Sequence, residues 1–134
     1  MQTFLGFDFG VKRIGIAVGQ RVTGTANALC TVQARDNAPD WEQISALIKE
    51  WRPHALVVGL PMHADGTDSA VTRAARRFAQ QLEGRYRLPV HMIDERHSSQ
   101  AAAELLAEEQ DSKTGLDAMA ARIILQDWLD TETT

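Results

Sequence analysis

The stretch Phe4-Leu5-Gly6-Phe7-Asp8-Phe9-Gly10 constrains this chain more than any other. A run this short, rich in aromatics and closed by glycine, reads as a strand buried on both faces. Asp8 is then out of place. An ionised carboxylate withdrawn from water costs on the order of several kcal/mol unless it is paired, hydrogen-bonded or coordinated. No Lys or Arg stands near it in the chain before Lys12. Two readings are open: Asp8 caps the following turn, or it is a metal-binding carboxylate at the mouth of a sheet.

The segments that follow say what kind of sheet this is. Gly10 to Arg13 is a short link into a second apolar run, Ile14 to Gly19, and so short a connection forces the two strands antiparallel. Thr25 to Gln33 reads as a third strand, closing a meander. A helix comes next: Asp36 and Pro39 supply a start, Trp41, Ile44, Leu47, Ile48 and Trp51 recur at helical spacing, and Pro53 supplies a stop. Ala55 to Gly59 is a fourth strand, broken at Leu60-Pro61.

After a turn at Asp65-Gly66, Asp68 or Ser69 caps a long helix with Val71, Ala74, Ala75, Phe78 and Leu82 inward and Arg73, Arg76 and Arg77 outward. Such a stripe is either a solvated face or a phosphate contact, for which arginine's bidentate fork is suited. Pro89 to Ile93 is a fifth strand, followed by Asp94-Glu95-Arg96. Ser98 or Ser99 caps a helix bearing Ala102, Leu105 and Leu106; Glu108 to Gly115 reads as a polar loop. A last helix runs from about Leu116 to Leu129, with Met119, Ala120, Ile123, Ile124 and Trp128 facing the core.

A meander followed by strands alternating with helices implies a mixed sheet with helices on its faces. Ligands of such sheets bind beyond the carboxyl ends of the parallel strands, where the strand order switches. Asp8, Leu60-Pro61 and Asp94-Glu95 all fall at such ends. Carboxylates gathered there suit Mg²⁺ or Mn²⁺, hard cations that take oxygen ligands. Two such ions can serve an in-line attack on a phosphodiester. Asp94 and Glu95 are adjacent, so along a strand only one of them can face the site. Asp117 at a helix start has an ordinary explanation as a cap, and a sharper one as a third acid.

Totals narrow the partners. The chain has 134 residues, 44% of them hydrophobic, enough for a single domain spanning 1–134. A single cysteine, Cys30, points to a reducing compartment, and no stretch nears the roughly 20 apolar residues of a membrane span, so a cytoplasmic location is expected. A net charge of −4 argues against indiscriminate nucleic-acid binding. The charge is unevenly placed, however: from Asp68 to Arg87 five arginines face two acids, and from Glu104 onward eight acids face two bases. No Cys-x-x-Cys, paired histidine or P-loop motif competes with the carboxylates; of the four scattered histidines, His97, two positions after Glu95, is the one that stands out.

Phe7-Asp8-Phe9-Gly10, Gly15-x-Ala17-x-Gly19, Val58-Gly59-Leu60-Pro61, Asp65-Gly66-Thr67, Arg73-Ala74-x-x-Arg77-Phe78, Asp94-Glu95-Arg96 and Asp117-Ala118-x-Ala120-Ala121 together resemble the YqgF, or RuvX-like, family across essentially the whole chain. The resemblance implies an RNase H-like α/β fold, with a five-stranded mixed sheet of order 3-2-1-4-5 and helices on both faces. It implies a divalent-metal nuclease with Asp8, Glu95 and Asp117 as catalytic and metal-binding acids, for which two Mg²⁺ or Mn²⁺ ions are expected, and with Lys12, Arg13 and Arg96 near the scissile phosphate; Arg73 and Arg77, from the helix stripe above, are the further candidate substrate contacts. The implied partner is nucleic acid: precursor 16S rRNA first, branched DNA at a Holliday junction second, handled by a monomer or weak homodimer. The segment before Asp117 holds only Lys113, where the family is commonly more basic and glycine-rich, and His97-Ser98-Ser99 replaces a more usual Leu-Ser/Thr-Thr. Two other readings compete: a ribosome-assembly factor that binds without cutting, and an actin- or sugar-kinase-like nucleotide binder, which Asp8-x-Gly10 followed by Gly15 also resembles.

Overall fold

The computed structural model describes residues 2–10, 12–35, 38–60, 70–94 and 113–132. Its strands are β1 (Thr3–Asp8), β2 (Arg13–Gln20), β3 (Thr25–Arg35), β4 (Ala38–Pro39), β5 (Ala55–Leu60) and β6 (Val90–Asp94); its helices are α1 (Trp41–Trp51), α2 (Ala70–Tyr86) and α3 (Lys113–Glu132). They form one sheet of order β4-β3-β2-β1-β5-β6. The first three strands pair antiparallel, while β1 with β5 and β5 with β6 pair parallel. The five long strands therefore follow the expected 3-2-1-4-5 order. The sixth, β4, is two residues paired with Ala34 and Arg35 at the end of β3, too short to leave a periodic signal.

Alternation along β1 divides the core. Leu5, Phe7 and Phe9 point to one face and pack with Ile14, Ile16, Leu56 and Val58 under Ile44 of α1 and Ala75, Phe78 and Leu82 of α2. Phe4 points to the other, with Ala17, Val57, Ala121, Ile124, Leu125, Trp128 and Leu129. Period-two alternation of this kind is what lets one strand serve two cores.

Several local expectations are corrected. Asp40, not Asp36, caps α1, accepting from the Gln43 N–H at 3.3 Å, and Pro39 belongs to β4. α1 ends at Arg52, whose φ of 46° is left-handed and whose N–H reaches the Ile48 carbonyl. α3 begins at Lys113, so 113–115 are helical rather than loop. Its inner face is Ala118, Ala121, Ile124, Leu125, Trp128 and Leu129; Met119, Ala120 and Ile123 are only half-buried. Apolar residues occur on every side of this helix, so spacing alone could not choose its inner face. The expected cap at Asp68 or Ser69, the turn at Asp65-Gly66, the break at Pro61 and the helix after Ser98 lie outside the described residues.

Candidate active site

Asp8 is the last residue of β1, paired with Gly15 on the antiparallel side and Gly59 on the parallel side. Both cross-strand neighbours lack side chains, so the half-buried Asp8 carboxylate is not crowded from either flank. Its face follows from the alternation. Phe4 packs in the α3 core, and a Cβ at Gly6 would meet Leu125 Cβ at 2.7 Å, so even positions of β1 look toward α3. Asp8 continues that series.

α3 runs antiparallel to β1. Trp128 meets Phe4 edge-on with ring centroids 4.9 Å apart, and Leu125 and Ala121 lie over Gly6. Going back four residues from Ala121 to Asp117 climbs about 6 Å of helix, and going on two residues from Gly6 to Asp8 covers about 6.6 Å of strand. The α3 backbone at Asp117 thus comes level with the end of β1. Asp117 is the fifth residue of the helix, too deep to be its N-cap, which removes the ordinary explanation for an acid there.

The third element is β6, whose last residue, Asp94, pairs with Leu60 at the end of β5. The carboxyl ends of β1, β5 and β6 therefore form one rim. Glu95, Arg96 and His97 lie outside the described residues, and for Asp94 and Asp117 the backbone alone is described. Among the described residues no three His, Cys, Asp or Glu side chains gather into a metal-holding group.

The basic candidates divide. Lys12, at the end of the turn past Asp8, and Arg13, the first residue of β2, are both exposed, and the Lys12 carbonyl accepts from the Ala34 N–H at 2.9 Å. Gly10 shapes that turn: a Cβ there would lie 2.6 Å from the Arg13 carbonyl oxygen. The need for glycine at this position is thus met by chain packing alone, without a nucleotide phosphate. Arg73 and Arg77 are exposed on α2. Sequence reading missed the anchors of α3. Arg122 Nε donates to the Ala26 carbonyl at 3.2 Å, Gln126 Oε1 accepts from the Ala26 N–H at 2.9 Å, and Gln126 Nε2 donates to the Gly24 carbonyl at 2.8 Å. These bonds satisfy backbone groups at the start of β3, and spacing carries no signal for them.

Comparison with known proteins decides the family. The model of the family described as RuvX, Holliday junction resolvase, matches residues 2–131. The chain belongs to the RuvX family. A relative from Hydrogenovibrio crunogenus, named "Putative pre-16S rRNA nuclease", is 50% identical over 94% of this chain and 92% of its own length. One of the same name from Saccharophagus degradans is 47% identical over 95% and 92%. Among solved structures, T. thermophilus RuvC in complex with a Holliday junction substrate superposes with a TM-score of 0.62 at 17% identity, covering 99% of this chain and 96% of that one. That likeness establishes the RNase H-like fold expected of a RuvX protein.

Proposed function

We infer that this RuvX-family protein is a divalent-metal-dependent nuclease hydrolysing phosphodiester bonds in structured nucleic acid, with precursor 16S rRNA as its substrate. The observation that carries this reading is the position of Asp8: a half-buried carboxylate at a parallel-strand end, glycine on both sides, facing the helix that carries Asp117.

The donor chemistry fits Mg²⁺ or Mn²⁺, because the acids proposed here offer only hard oxygens. Asp8, Glu95 and Asp117 would hold the ions. Of the two adjacent acids at and after the end of β6, the resemblance to the family favours Glu95 over Asp94. When bound, two such ions supply the positive charge that phosphodiester displacement requires at its attacking and leaving oxygens. The chain's own part is to fix three acids from separate segments at one rim, and to place Lys12, Arg13 and Arg96 where a scissile phosphate would enter. The relatives' names support the ribosomal substrate.

The test is cleavage of a precursor rRNA fragment by purified protein with Mn²⁺ or Mg²⁺. Asp8→Asn lowers the rate on the order of a hundredfold or more while the thermal midpoint is kept. Cutting by that variant at the unsubstituted rate defeats the reading. A second reading, resolution of Holliday junctions, is favoured by the family description; preferential cutting of a four-way DNA junction over the rRNA precursor would select it.

A further inference from the structure

α2 carries a charge pattern that its packing does not require. Its sequence holds four arginines, Arg73, Arg76, Arg77 and Arg85, with Glu83 as its one acid, in a chain of net charge −4. Its inner face is Ala75, Phe78, Ala79 and Leu82, all buried. Opposite it, Arg73, Arg77, Gln80, Gln81 and Gly84 form an exposed face, with Glu83 at its edge, roughly 60° around the helix from Gln80 and 120° from Arg77. Arg85 lies at the far end, its guanidinium held 4.1 Å over the Trp41 ring.

The helix also has a definite place relative to the rim. Phe78 packs on Phe7 and Phe9, with centroids 5.6 and 5.2 Å away, and these residues flank Asp8 in sequence. Arg77 is therefore level with the end of β1, and Arg73, about 6 Å further toward the amino terminus of α2, reaches past it. From Arg73 to Arg85 the helix rises about 18 Å, the axial length of roughly five base pairs. The Arg73–Arg77 rise of about 6 Å is close to two phosphate steps of one duplex strand.

We propose that the outer face of α2 is a phosphate track, on which a duplex flank of the substrate lies after crossing the rim at Asp8. This rests on the nuclease reading and extends it from the cut to the grip on the substrate. The occupant is a nucleic-acid backbone, on grounds of charge complementarity: planar guanidinium groups and amides recognise phosphate oxygens without reading sequence. The track supplies locally the cations that the chain lacks as a whole.

The experiment measures the affinity for a blunt RNA duplex against salt, in an Asp8→Asn background that keeps the probe intact. Two double variants of equal charge change are compared: Arg73→Gln with Arg77→Gln on the track, and Arg21→Gln with Lys49→Gln at exposed positions outside α2. Circular dichroism confirms that both fold, and Arg73→Lys with Arg77→Lys restores the charge. The track double variant binds roughly tenfold more weakly at 0.1 M salt, and its log K against log salt slope flattens by between one and two units. The control pair stays within twofold of the unsubstituted chain, and the lysine pair recovers most of the loss. Equal effects in the two double variants, or no salt-dependent binding by the unsubstituted chain, overturns the proposal. Cleavage of precursor rRNA by the chain with Asp8 restored is read separately. Binding with the predicted slopes but no cutting would strike the nuclease reading and leave the track standing.

Discussion

At the scale of single residues, glycines do as much for the site as the acid. Gly6 lets α3 lie against β1: an alanine Cβ would meet Leu125 Cβ at 2.7 Å and the Ala121 carbonyl at 3.2 Å, and neither is the tip of a flexible side chain. Gly6→Ala is therefore expected to cost about 1–3 kcal/mol in urea unfolding, the usual range for overpacking. It should also lower cleavage, because α3 would be displaced from the strand that carries Asp8. Cys30 shows the opposite case, a reactive group kept quiet. Burial first, and the Glu50 carboxylate second, raise its thiol above the ordinary value. The thiolate is thus disfavoured in the fold, and alkylation at pH 8 should be slower in the native chain than in urea. A native rate equal to that in urea would contradict this.

At the scale of elements, α1 and α3 carry the contrast between what could be read from sequence and what could not. The strands were legible as short apolar runs bounded by glycine or proline, and α2 because its apolar residues keep a period of 3.6. α3 existed in the pattern, but its start and inner face did not, since apolar residues surround it and its anchors Arg122 and Gln126 look like surface residues. Asp8 stood out as a carboxylate in an apolar run; the glycines beside it, Gly15 and Gly59, gained meaning only from the register. Removing the Trp128 ring deletes its contacts with Phe4 and His91, so Trp128→Ala should cost about 3–5 kcal/mol. At the end of α1, Arg52 holds a left-handed φ of 46°, which glycine adopts without penalty. Arg52→Gly is expected to stabilise the protein by about 0.5–1 kcal/mol in thermal unfolding, against the usual direction for glycine substitutions. A destabilisation would show that the Arg52 side chain contributes more than its backbone strain costs.

At the scale of the whole molecule, a sheet that changes from antiparallel to parallel pairing at β1 brings distant parts of the chain to one rim. β1 sits between the two halves, and the helix over it brings the last part of the chain back to its first strand. The net charge of −4 is compatible with a nucleic-acid substrate on this account, because cations at the rim and the arginines of α2 both act locally. The central claim is that Asp8, Glu95 and Asp117 share divalent ions, and the most direct test is an anomalous-scattering map of crystals soaked in Mn²⁺. Peaks are expected within bonding distance of all three carboxylates, replaced by Mg²⁺ at about 2.0–2.1 Å when that ion is supplied instead. Peaks at other sites alone, or an Asp117 carboxylate turned away from Asp8 in the metal-soaked crystal, would contradict it.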